Sequence, residues 1–402
     1  MAWPSVPFPE TVRKTSVGRE NQILASEIKA AGRFPVIDQG QSFIAGYSDD
    51  EDRLITRDLP LIVFGDHTRV VKFIDFPFIL GADGTKVLKP READFDARFF
   101  AFALQSLNLP NRGYNRHFTL LKEKRLYRPE LDEQRTIGGI LRLVERAVEQ
   151  QEQLLAVTAE LKKTLLHQLF THGMRNEPQK QTDVGLMPTS WNPTPLGTVC
   201  EILSSSLSYT EFLRREPSEG SDAVECMGVK VSDMNLPGNE NYFIHANLRK
   251  SLPVSVAQRK LLPKDVVVFP KRGAAIATNK KRITTTWTVL DPNLIGLKAT
   301  TVLYPRFLFY WSETFDLRKI SEPGPTPQLN KKDLSPVLIP LPSSLLEQKE
   351  LADAIAAVDT KAQFHRRKHA ALSSLFRTLL HALMTAQIRV RDLNLTELNL
   401  DE

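Results

Sequence analysis

The sequence predicts an α+β protein in which two mixed α/β domains are separated by two long helices, and in which those helices pack as an antiparallel coiled coil. Two observations predict this fold class. A long helical pattern occurs twice at a fixed offset, and a segment with proline, glycine and short strand-like runs precedes each copy. The 402-residue chain is too long for one ordinary core and long enough for two domains with connecting elements.

The helical pattern is an internal repeat. A shift of 214 residues superposes 133–175 on 347–389 without a gap, and twelve of the 43 positions are identical. The identical pairs are Glu133/Glu347, Gln134/Gln348, Val144/Val358, Ala156/Ala370, Leu161/Leu375, Thr164/Thr378, Leu165/Leu379, Leu166/Leu380, His167/His381, Leu169/Leu383, Thr171/Thr385 and Arg175/Arg389. Several of these pairs are polar, which hydrophobic periodicity does not require, so we interpret the segments as copies. The alternative, two unrelated long helices, leaves the polar identities unexplained.

Both copies have the periodicity of helices. Apolar residues recur three to four positions apart, and neither copy contains a proline. Pro129 and Pro342 precede the two starts, and Gly173 stands where a glycine commonly ends a helix. We therefore expect a first helix within 129–175 and a second within 342–391. Since each helix must bury an apolar stripe, antiparallel packing of the two is the simplest arrangement.

Polar residues interrupt these stripes at Gln151 and Lys162 in the first copy and at His365 and His369 in the second. We interpret the histidines as solvated or interface residues and not as metal ligands, because no cysteine or third histidine follows at ligand spacing.

The segments outside the helices form the predicted domains. Residues 1–128 and 176–341 contain short apolar runs, among them 61–64 and 266–269, that are typical of strands. We expect mixed α/β domains over these ranges and a loose acidic tail over 392–402.

The composition is typical of a soluble cytoplasmic protein. Apolar residues make up 42% and charged residues 25% of the chain. No apolar run approaches the roughly 18 residues that a membrane helix needs. The first ten residues lack the pattern of a secretory signal, and Cys200 and Cys226 are the only cysteines. We expect neither a membrane span nor a metal cluster.

Positive charge is concentrated in one segment. The chain has a formal charge of +6, whereas residues 249–332 carry 16 Lys and Arg against 5 Asp and Glu, an excess of 11. The rest of the chain is therefore net acidic. A confined basic field is what a phosphate-binding surface requires, because neutralised phosphates release their condensed counterions.

The second domain contains the densest basic features. Their candidate DNA-binding residues are Lys271, Arg272, Asn279, Lys280, Lys281, Arg282 and Thr284. Lys and Arg bind phosphates and guanine edges, whereas Asn and Thr pair with base edges or phosphate. We predict that the five cations lie on one DNA-facing surface, because they have no acidic neighbours in sequence. A solvated charged loop is the alternative interpretation.

The first domain has a weaker basic field. Its candidate DNA-binding residues are Lys72, Lys86, Lys89, Arg91, Arg112, Tyr114 and Arg116. The last three belong to a loop that combines hydrogen-bond donors with a ring that can stack. A polar surface loop without a ligand remains the alternative.

Catalytic and cofactor motifs are absent from the sequence. It has no G-x-x-x-x-G-K-[ST] phosphate loop and no glycine-rich dinucleotide fingerprint. Asp291 and Pro292 continue without the second proline and aromatic residue of an amino-methyltransferase motif. We therefore expect a chain that is not an enzyme and that binds no cofactor or metal.

Several segments resemble the specificity subunits of type I restriction-modification systems. Residues 161–175 (LKKTLLHQLFTHGMR), continued by 177–182 (EPQKQT) and by Trp191 and 195–197 (PLG), closely resemble the join between the central helix and the second recognition domain of that family. Residues 129–134 and 340–348 resemble the entry into its two helices, and 34–41 (FPVIDQGQ) with 44–47 (IAGY) resemble the opening of its recognition domains.

The resemblance implies that each domain reads one half of a split, asymmetric DNA target. It also implies that the helices set the spacing between the halves and dock two methyltransferase subunits, which restriction subunits then join. The candidate docking residues are Leu161, Leu165, Leu169, Leu375, Leu379 and Leu383. The residues before Phe34 do not repeat the opening found at Trp191 and at Leu196 and Gly197, so the start of the first domain stays open.

Two other functions are compatible with the same residues. A coiled-coil scaffold would hold two protein-binding domains without DNA, and a single-chain nuclease would have an active site that no motif marks. Sequence-selective, salt-sensitive binding to duplex DNA separates the scaffold from a specificity subunit. Cleavage by the chain alone, dependent on magnesium, would indicate the nuclease.

Overall fold

The computed structural model describes residues 3–82, 84–110, 116–218, 222–322, 324 and 327–393. The chain forms two compact units. Unit 1 consists of Met1–Leu154 and His365–Glu402, and unit 2 of Leu155–Phe364. Each unit therefore contains one α/β segment together with part of both long helices.

Unit 1 contains ten strands and three short helices among its described residues, followed by the first long helix. In chain order these are β1 (Ser5–Pro7), α1 (Phe8–Thr11), β2 (Val12–Arg13), β3 (Gln22–Ile23), β4 (Phe34–Ile37), β5 (Gly46–Ser48), β6 (Leu61–Gly65), β7 (Val71–Ile74), β8 (Ile79–Gly81), β9 (Thr85–Pro90), α2 (Ala97–Ser106), α3 (Phe118–Lys122), β10 (Arg125–Tyr127) and α4 (Leu131–His172). The strands form two four-stranded sheets, in the orders β2-β9-β6-β7 and β3-β8-β4-β5, and β1 pairs with β10.

Unit 2 has a similar composition of elements and ends within the second long helix. In chain order these are β11 (Gln179–Thr182), β12 (Gly185–Pro188), β13 (Asn192–Pro195), α5 (Leu196–Val199), β14 (Cys200–Leu203), α6 (Tyr209–Arg214), β15 (Ala223–Val229), β16 (Tyr242–Phe243), β17 (Leu248–Pro253), α7 (Val254–Lys260), β18 (Val266–Pro270), β19 (Arg282–Thr284), β20 (Trp287–Leu290), β21 (Leu294–Ala299), α8 (Pro305–Thr314), α9 (Lys331–Leu334), β22 (Leu338–Leu341) and α10 (Leu345–Met384). Its main sheets have the orders β14-β21-β18-β19-β16 and β17-β15-β20, while β13 pairs with β22 and β11 with β12.

The two units share one sheet topology. The order β2-β9-β6-β7 in unit 1 matches β14-β21-β18-β19 in unit 2, and every pairing in both series is antiparallel. In the second sheet, β4 pairs antiparallel with β5 and parallel with β8, as β15 does with β17 and β20. The central strands β6 and β18 are entirely buried and contain the predicted runs 61–64 and 266–269. The repeat thus includes the domains as well as the helices.

The two long helices pack against each other in antiparallel orientation within each unit. In unit 1, Ile137 near the start of α4 shares a core with Leu383 at the end of α10. In unit 2, Phe170 at the end of α4 shares a core with Leu351 near the start of α10. The prediction of a mixed α and β fold with an antiparallel helix pair is confirmed. Gly173 follows the last residue of α4 with a φ of 68°, a conformation that glycine adopts without strain.

Polar residues of the two stripes contact each other. His365 Nδ1 lies 2.9 Å from Gln151 Oε1, and both side chains are buried in unit 1. His369 Nε2 lies 3.1 Å from Glu152 Oε1. Both histidines are therefore helix-interface residues, one of the two environments predicted for them. In unit 2, Lys162 is held between Glu313 and Asp359, at 2.7 and 2.8 Å.

Candidate nucleic-acid interface

The basic residues of the second domain meet at one end of its main sheet. Lys271 and Arg272 follow β18, and the second cluster leads into β19, the antiparallel neighbour of β18. Arg272 is exposed, while Lys271 and Lys280 are half-buried. Burial lowers the pKa of Lys271, and the neighbouring Arg272 charge lowers it further. Lys280 Nζ donates a hydrogen bond to Asn235 Oδ1.

Three of the predicted site residues in this domain are buried. Lys281 Nζ donates to Asn279 Oδ1 and to the Phe315 carbonyl, both at 2.7 Å, and burial lowers the pKa of this ammonium to about 8. Thr284 Oγ1 donates to the Pro263 carbonyl at 2.7 Å.

Arg282 is the third, and its guanidinium donates to the Met234 carbonyl at 2.8 Å and to the Lys281 carbonyl at 2.7 Å. The prediction that all five cations lie on one outer surface is therefore wrong for Lys281 and Arg282. Their lack of acidic neighbours in sequence did not reveal that Glu313 and Asp316 come close to Lys281 in the fold.

The first domain likewise buries two of its predicted site residues. Lys72 Nζ donates to the Ser42 carbonyl at 2.6 Å and lies 3.5 Å from Asp38 Oδ1. Burial lowers the pKa of Lys72, and Asp38 partly opposes this effect. Lys89 Nζ contacts Glu92 Oε1 at 2.8 Å and the Pro60 carbonyl at 3.2 Å.

The other candidates of the first domain are more accessible or lie outside the described residues. Lys86 is half-buried, with its ammonium 5.9 Å from the centre of the Phe118 ring. Arg91 and Arg116 are exposed. Arg112 and Tyr114 lie outside the described residues.

Lys72 and Arg282 occupy equivalent positions in the two sheets. Lys72 on β7 is paired with Val63 on β6, and Arg282 on β19 is paired with Val268 on β18. Each cation donates to a carbonyl in the loop that connects two equivalent strands of the second sheet. We call these connections loop A (38–45, between β4 and β5) and loop B (230–247, between β15 and β17), and loop B includes the short strand β16. Sequence reasoning missed this relationship because it needs the strand register.

Loop A is fixed at its base and exposed at its tip. His67 N donates to Gln39 Oε1 at 3.1 Å, and Thr68 Oγ1 donates to the Gln39 carbonyl at 2.6 Å. Gln41 and Phe43 are exposed, Phe43 by 48%. An exposed amide beside an exposed ring is available for a ligand, because the lower part of the loop already holds the backbone.

Loop B is organised around a fully buried amide. Asn239 Nδ2 donates to the Asp233 carbonyl at 2.8 Å and to the His245 carbonyl at 2.7 Å. Its Oδ1 accepts from the backbone N–H groups of Ile244 and His245, at 2.8 and 2.9 Å. All four hydrogen-bonding positions of the amide are thus used within the loop. Asn235, the partner of Lys280, remains exposed.

Two of the polar identities of the repeat, the glutamate pair and the glutamine pair, attach each domain to a long helix. Trp3 Nε1 donates to Glu133 Oε2 and Trp191 Nε1 donates to Glu347 Oε1, both at 3.0 Å. Trp3 precedes β1, which pairs with β10, just as Trp191 precedes β13, which pairs with β22. The expectation that no tryptophan opening precedes Phe34 is therefore wrong. The 214-residue offset of the helices does not relate the two tryptophans, because Trp3 stands 130 residues before Glu133 and Trp191 stands 156 residues before Glu347. The sequence comparison therefore missed Trp3.

The neighbouring glutamines make a second pair of equivalent contacts. Gln134 Oε1 accepts from Asp96 N at 2.9 Å, and Gln348 Oε1 accepts from Tyr304 N at 2.7 Å. Asp96 and Tyr304 are the N-terminal caps of α2 and α8. The Nε2 group of each glutamine donates to two backbone carbonyls, and both side chains are fully buried. These contacts explain why polar residues repeat at the start of each helix.

The predicted docking leucines differ in accessibility. Leu169 and Leu383 are buried in the cores, and Leu165 and Leu379 are partly buried against them. Leu161 is 52% exposed and Leu375 is 45% exposed. These two residues are equivalent in the repeat, so each unit presents one exposed leucine at the same helical position.

Two kinds of feature are absent from the described residues. They contain no group of three or more His, Cys, Asp or Glu side chains arranged to hold a metal ion. Within the same residues, no helix has both the length and the apolar character needed to cross a membrane.

Comparison with known proteins identifies relatives of one kind. No protein-family model matches the chain. Two curated relatives come from Methanocaldococcus jannaschii. The type I restriction enzyme MjaVIII specificity subunit is 24% identical over 278 residues, which cover 66% of this chain and 62% of the relative. A second protein, named provisionally as the type I restriction enzyme MjaX specificity subunit, is 23% identical over 334 residues, which cover 78% of this chain and 73% of the relative.

A solved structure has the same fold. The type I restriction-modification system S subunit from M. genitalium matches 95% of this chain and 96% of its own length, with a TM-score of 0.64 and 16% identity. Its fold agrees with the two units and the antiparallel helices described above. The chain is thus a homologue of type I restriction enzyme specificity subunits and has the fold of a type I S subunit.

Proposed function

We propose that this chain is the sequence-specific DNA-binding subunit of a type I restriction-modification complex, and that each of its domains reads one half of a split, asymmetric target. One observation carries the proposal. The two domains share a sheet topology, and a buried cation at the same sheet position holds a connecting loop in each, Lys72 for loop A and Arg282 for loop B. Two loops of different sequence, held at equivalent positions of the same sheet topology, can recognise two different DNA sequences.

The chemistry of these loops fits DNA recognition. Gln41 in loop A and Asn235 in loop B are exposed amides, and Asn and Gln side chains can form paired hydrogen bonds with adenine in the major groove. Lys280 contacts Asn235 of loop B, and Arg272 is exposed after β18. The charges of both residues can bind phosphate and fix the position of the domain. In this proposal Arg282 is a positioning residue that holds loop B, and Lys281 is a positioning residue that holds Asn279 and the Phe315 backbone.

The repeat also supports two docking sites for methyltransferase subunits. Leu161 and Leu375 are exposed at equivalent positions, and each sits beside leucines that are already part of a core. Exposed apolar side chains at the edge of a packed surface are typical of protein interfaces. We assign one methyltransferase subunit to each leucine. Restriction subunits would join this assembly, and the partner chains would perform the methyl transfer and the cleavage.

Selection of bound DNA tests the proposed function. The chain, assembled with its methyltransferase partner, is incubated with a random duplex pool, and the retained DNA is sequenced over several rounds. We expect two short, different sequences separated by a constant number of unspecified base pairs. A pool that shows no enrichment under conditions where the complex is intact would contradict the proposal. The methyltransferase alone, carried through the same rounds, is the control.

Leucine substitutions test the docking sites separately. Leu161→Asp and Leu375→Asp should each remove one methyltransferase subunit from the assembly, and the double substitution should remove both, because an exposed carboxylate cannot be buried in an apolar contact. Native mass spectrometry counts the subunits. Leu213→Asp, at a leucine that is 53% exposed in the second domain, is the matched control. Full stoichiometry in the double variant would exclude these leucines as docking residues.

A further inference from the structure

The two copies of the helical repeat differ in charge. Residues 360–391 contain seven Lys and Arg, at 361, 366, 367, 368, 377, 389 and 391, and no Asp or Glu. The matching residues 146–177 contain four Lys and Arg, at 146, 162, 163 and 175, against four Glu, at 149, 152, 160 and 177. Glu152 on α4 is replaced by Arg366 at the equivalent position of α10. Only the second copy is therefore strongly basic.

The basic charge of α10 is concentrated in one exposed run. Arg366, Arg367 and Lys368 are consecutive and all exposed. None of the three makes an ion pair with the residues that the structure describes. The adjacent His365 is buried against Gln151, so the run flanks the buried face of the helix. Because successive residues of a helix are separated by 100°, Arg366 and Lys368 point to nearly opposite sides of the helix, with Arg367 between them.

Helix stability does not account for this run. Cations stabilise a helix through its dipole only near the last turn, and Lys368 lies 16 residues before the end of α10 at Met384. Pairing with acids three or four positions away does not account for it either, since α10 has no Asp or Glu after Asp359. Three adjacent like charges without acids nearby on the helix repel one another, and an anionic partner would relieve this repulsion.

The arrangement fits the DNA backbone better than a protein surface. Interface cores between proteins are depleted in charged residues, and a run that spans two sides of a helix cannot bury all three cations against one flat surface. A duplex presents phosphates in two rows, so a helix lying over a groove can place cations on both. Arginine guanidinium groups match phosphate oxygens in geometry.

We propose that Arg366, Arg367 and Lys368 bind DNA phosphates between the two half-targets and read no bases. This inference rests on the proposed function. The run stands where α10 passes from unit 2 to unit 1, next to the boundary between Phe364 and His365. It would add affinity for any spacer sequence and leave the recognised half-sequences unchanged.

Charge removal in the complete complex tests the inference. The variant Arg366→Gln, Arg367→Gln, Lys368→Gln is assembled with the methyltransferase and measured against the selected target over a series of salt concentrations. We expect weaker binding, a slope of log K against log salt that is smaller by up to about 3 units, and an unchanged selected sequence. The control variant Lys163→Gln, Lys349→Gln, Arg377→Gln removes three exposed charges from the same two helices and should leave the slope within about one unit of the wild type.

A neutral spacer supplies a second readout. Methylphosphonate linkages placed only between the half-targets should lower the slope of the wild type to that of the triple variant, and should change the slope of the triple variant little. An unchanged slope in the triple variant would overturn the inference, as would loss of methyltransferase from that variant, which would indicate a protein partner. Failure of the wild type to select any DNA would instead contradict the proposed function.

Discussion

Lys72 and Arg282 stand at the same position of two separate sheets, and each donates a hydrogen bond from a buried cation to a loop carbonyl, that of Ser42 or of Met234. Burial of a charge is costly, and apolar replacements of buried ionic groups are often neutral or stabilising. A cation retained at this position in both sheets is therefore better explained by the loop that it holds than by stability.

Substitution of these cations should affect one half-target each. Lys72→Met keeps the length of the side chain and removes the donor to loop A, so discrimination within one half-target should fall by about tenfold, the effect of losing roughly one well-placed base contact. Arg282→Met should do the same for the other half. Competition binding with targets mismatched in one half measures the effect. Lys14→Met, at an exposed position, is the control, and equal losses in both halves would contradict separate roles.

The equivalent glutamates should differ in their contribution to stability. Glu133 accepts from Trp3 and also pairs with Arg389 at 3.0 Å, where the two side chains are only 18% and 21% exposed. Glu347 accepts from Trp191 without an ion pair among the described residues. Glu133→Gln should therefore lower the free energy of unfolding by about 1–2 kcal/mol, and Glu347→Gln by less than about 0.5 kcal/mol, because an amide oxygen still accepts from the indole. Urea denaturation of both variants measures the difference. An equal loss of unfolding free energy in the two variants would mean that the contact between Glu133 and Arg389 does not contribute to stability.

Because the Lys281 ammonium is buried, the free energy of unfolding should change with pH in the alkaline range. Burial lowers its pKa from 10.5 to about 8, so between these values the unfolded chain binds the proton and the folded chain does not. The free energy of unfolding should therefore rise as pH increases through this window, by at most about 3 kcal/mol, and stay constant below it.

Lys281→Met isolates this effect from all other titrations. As the pH rises from 7.5 to 10, the free energy of unfolding of the wild type should increase relative to that of the variant. Urea denaturation at several pH values supplies the measurement. A difference that is independent of pH would mean that Lys281 does not titrate in this range.

Lengthening both helices together should lengthen the spacer in the target. The boundary between the units crosses α4 after Leu154 and α10 after Phe364. Four helix-forming residues inserted at each point add about 6 Å and rotate the continuation by about 40°, so the contacts within each unit are kept. At about 3.4 Å per base pair, the selected target should keep both half-sequences and gain one or two unspecified base pairs.

An insertion in α4 alone is the control for the paired change. It offsets α4 against α10, so the Gln151–His365 and Lys162–Asp359 contacts cannot form together, and the protein should be markedly destabilised. An active paired variant that selects the original spacing would contradict the idea that the helices set the distance between half-targets.

The sequence predicted the helices and their pairing well, because a helical stripe and a repeated Glu-Gln pair are visible in the residues themselves. The shared sheet topology was not visible. A buried strand requires only apolar residues of suitable size, so β6 and β18 are equivalent although their sequences differ. The sequence also did not reveal the burial of four cations, because the carbonyl and carboxylate groups that surround a buried cation come close only in the fold. These cations are Lys72, Lys89, Lys281 and Arg282.

The attachments made by Glu133, Gln134, Glu347 and Gln348 use very few atoms of each domain: one indole N–H group, one amide and backbone carbonyls. The other contacts between domain and helix are largely apolar packing, as between Phe170 of α4 and Phe307 of α8, which constrains the size of a residue more than its identity. Much of a domain's sequence is therefore free to diverge while it stays joined to its helix. A recombined gene could exchange one whole domain for another, provided that the new domain begins with a tryptophan, offers the same backbone groups and packs an apolar surface against the helices. Under the proposed function, such an exchange would create a new specificity in a single genetic event and leave the two long helices unchanged.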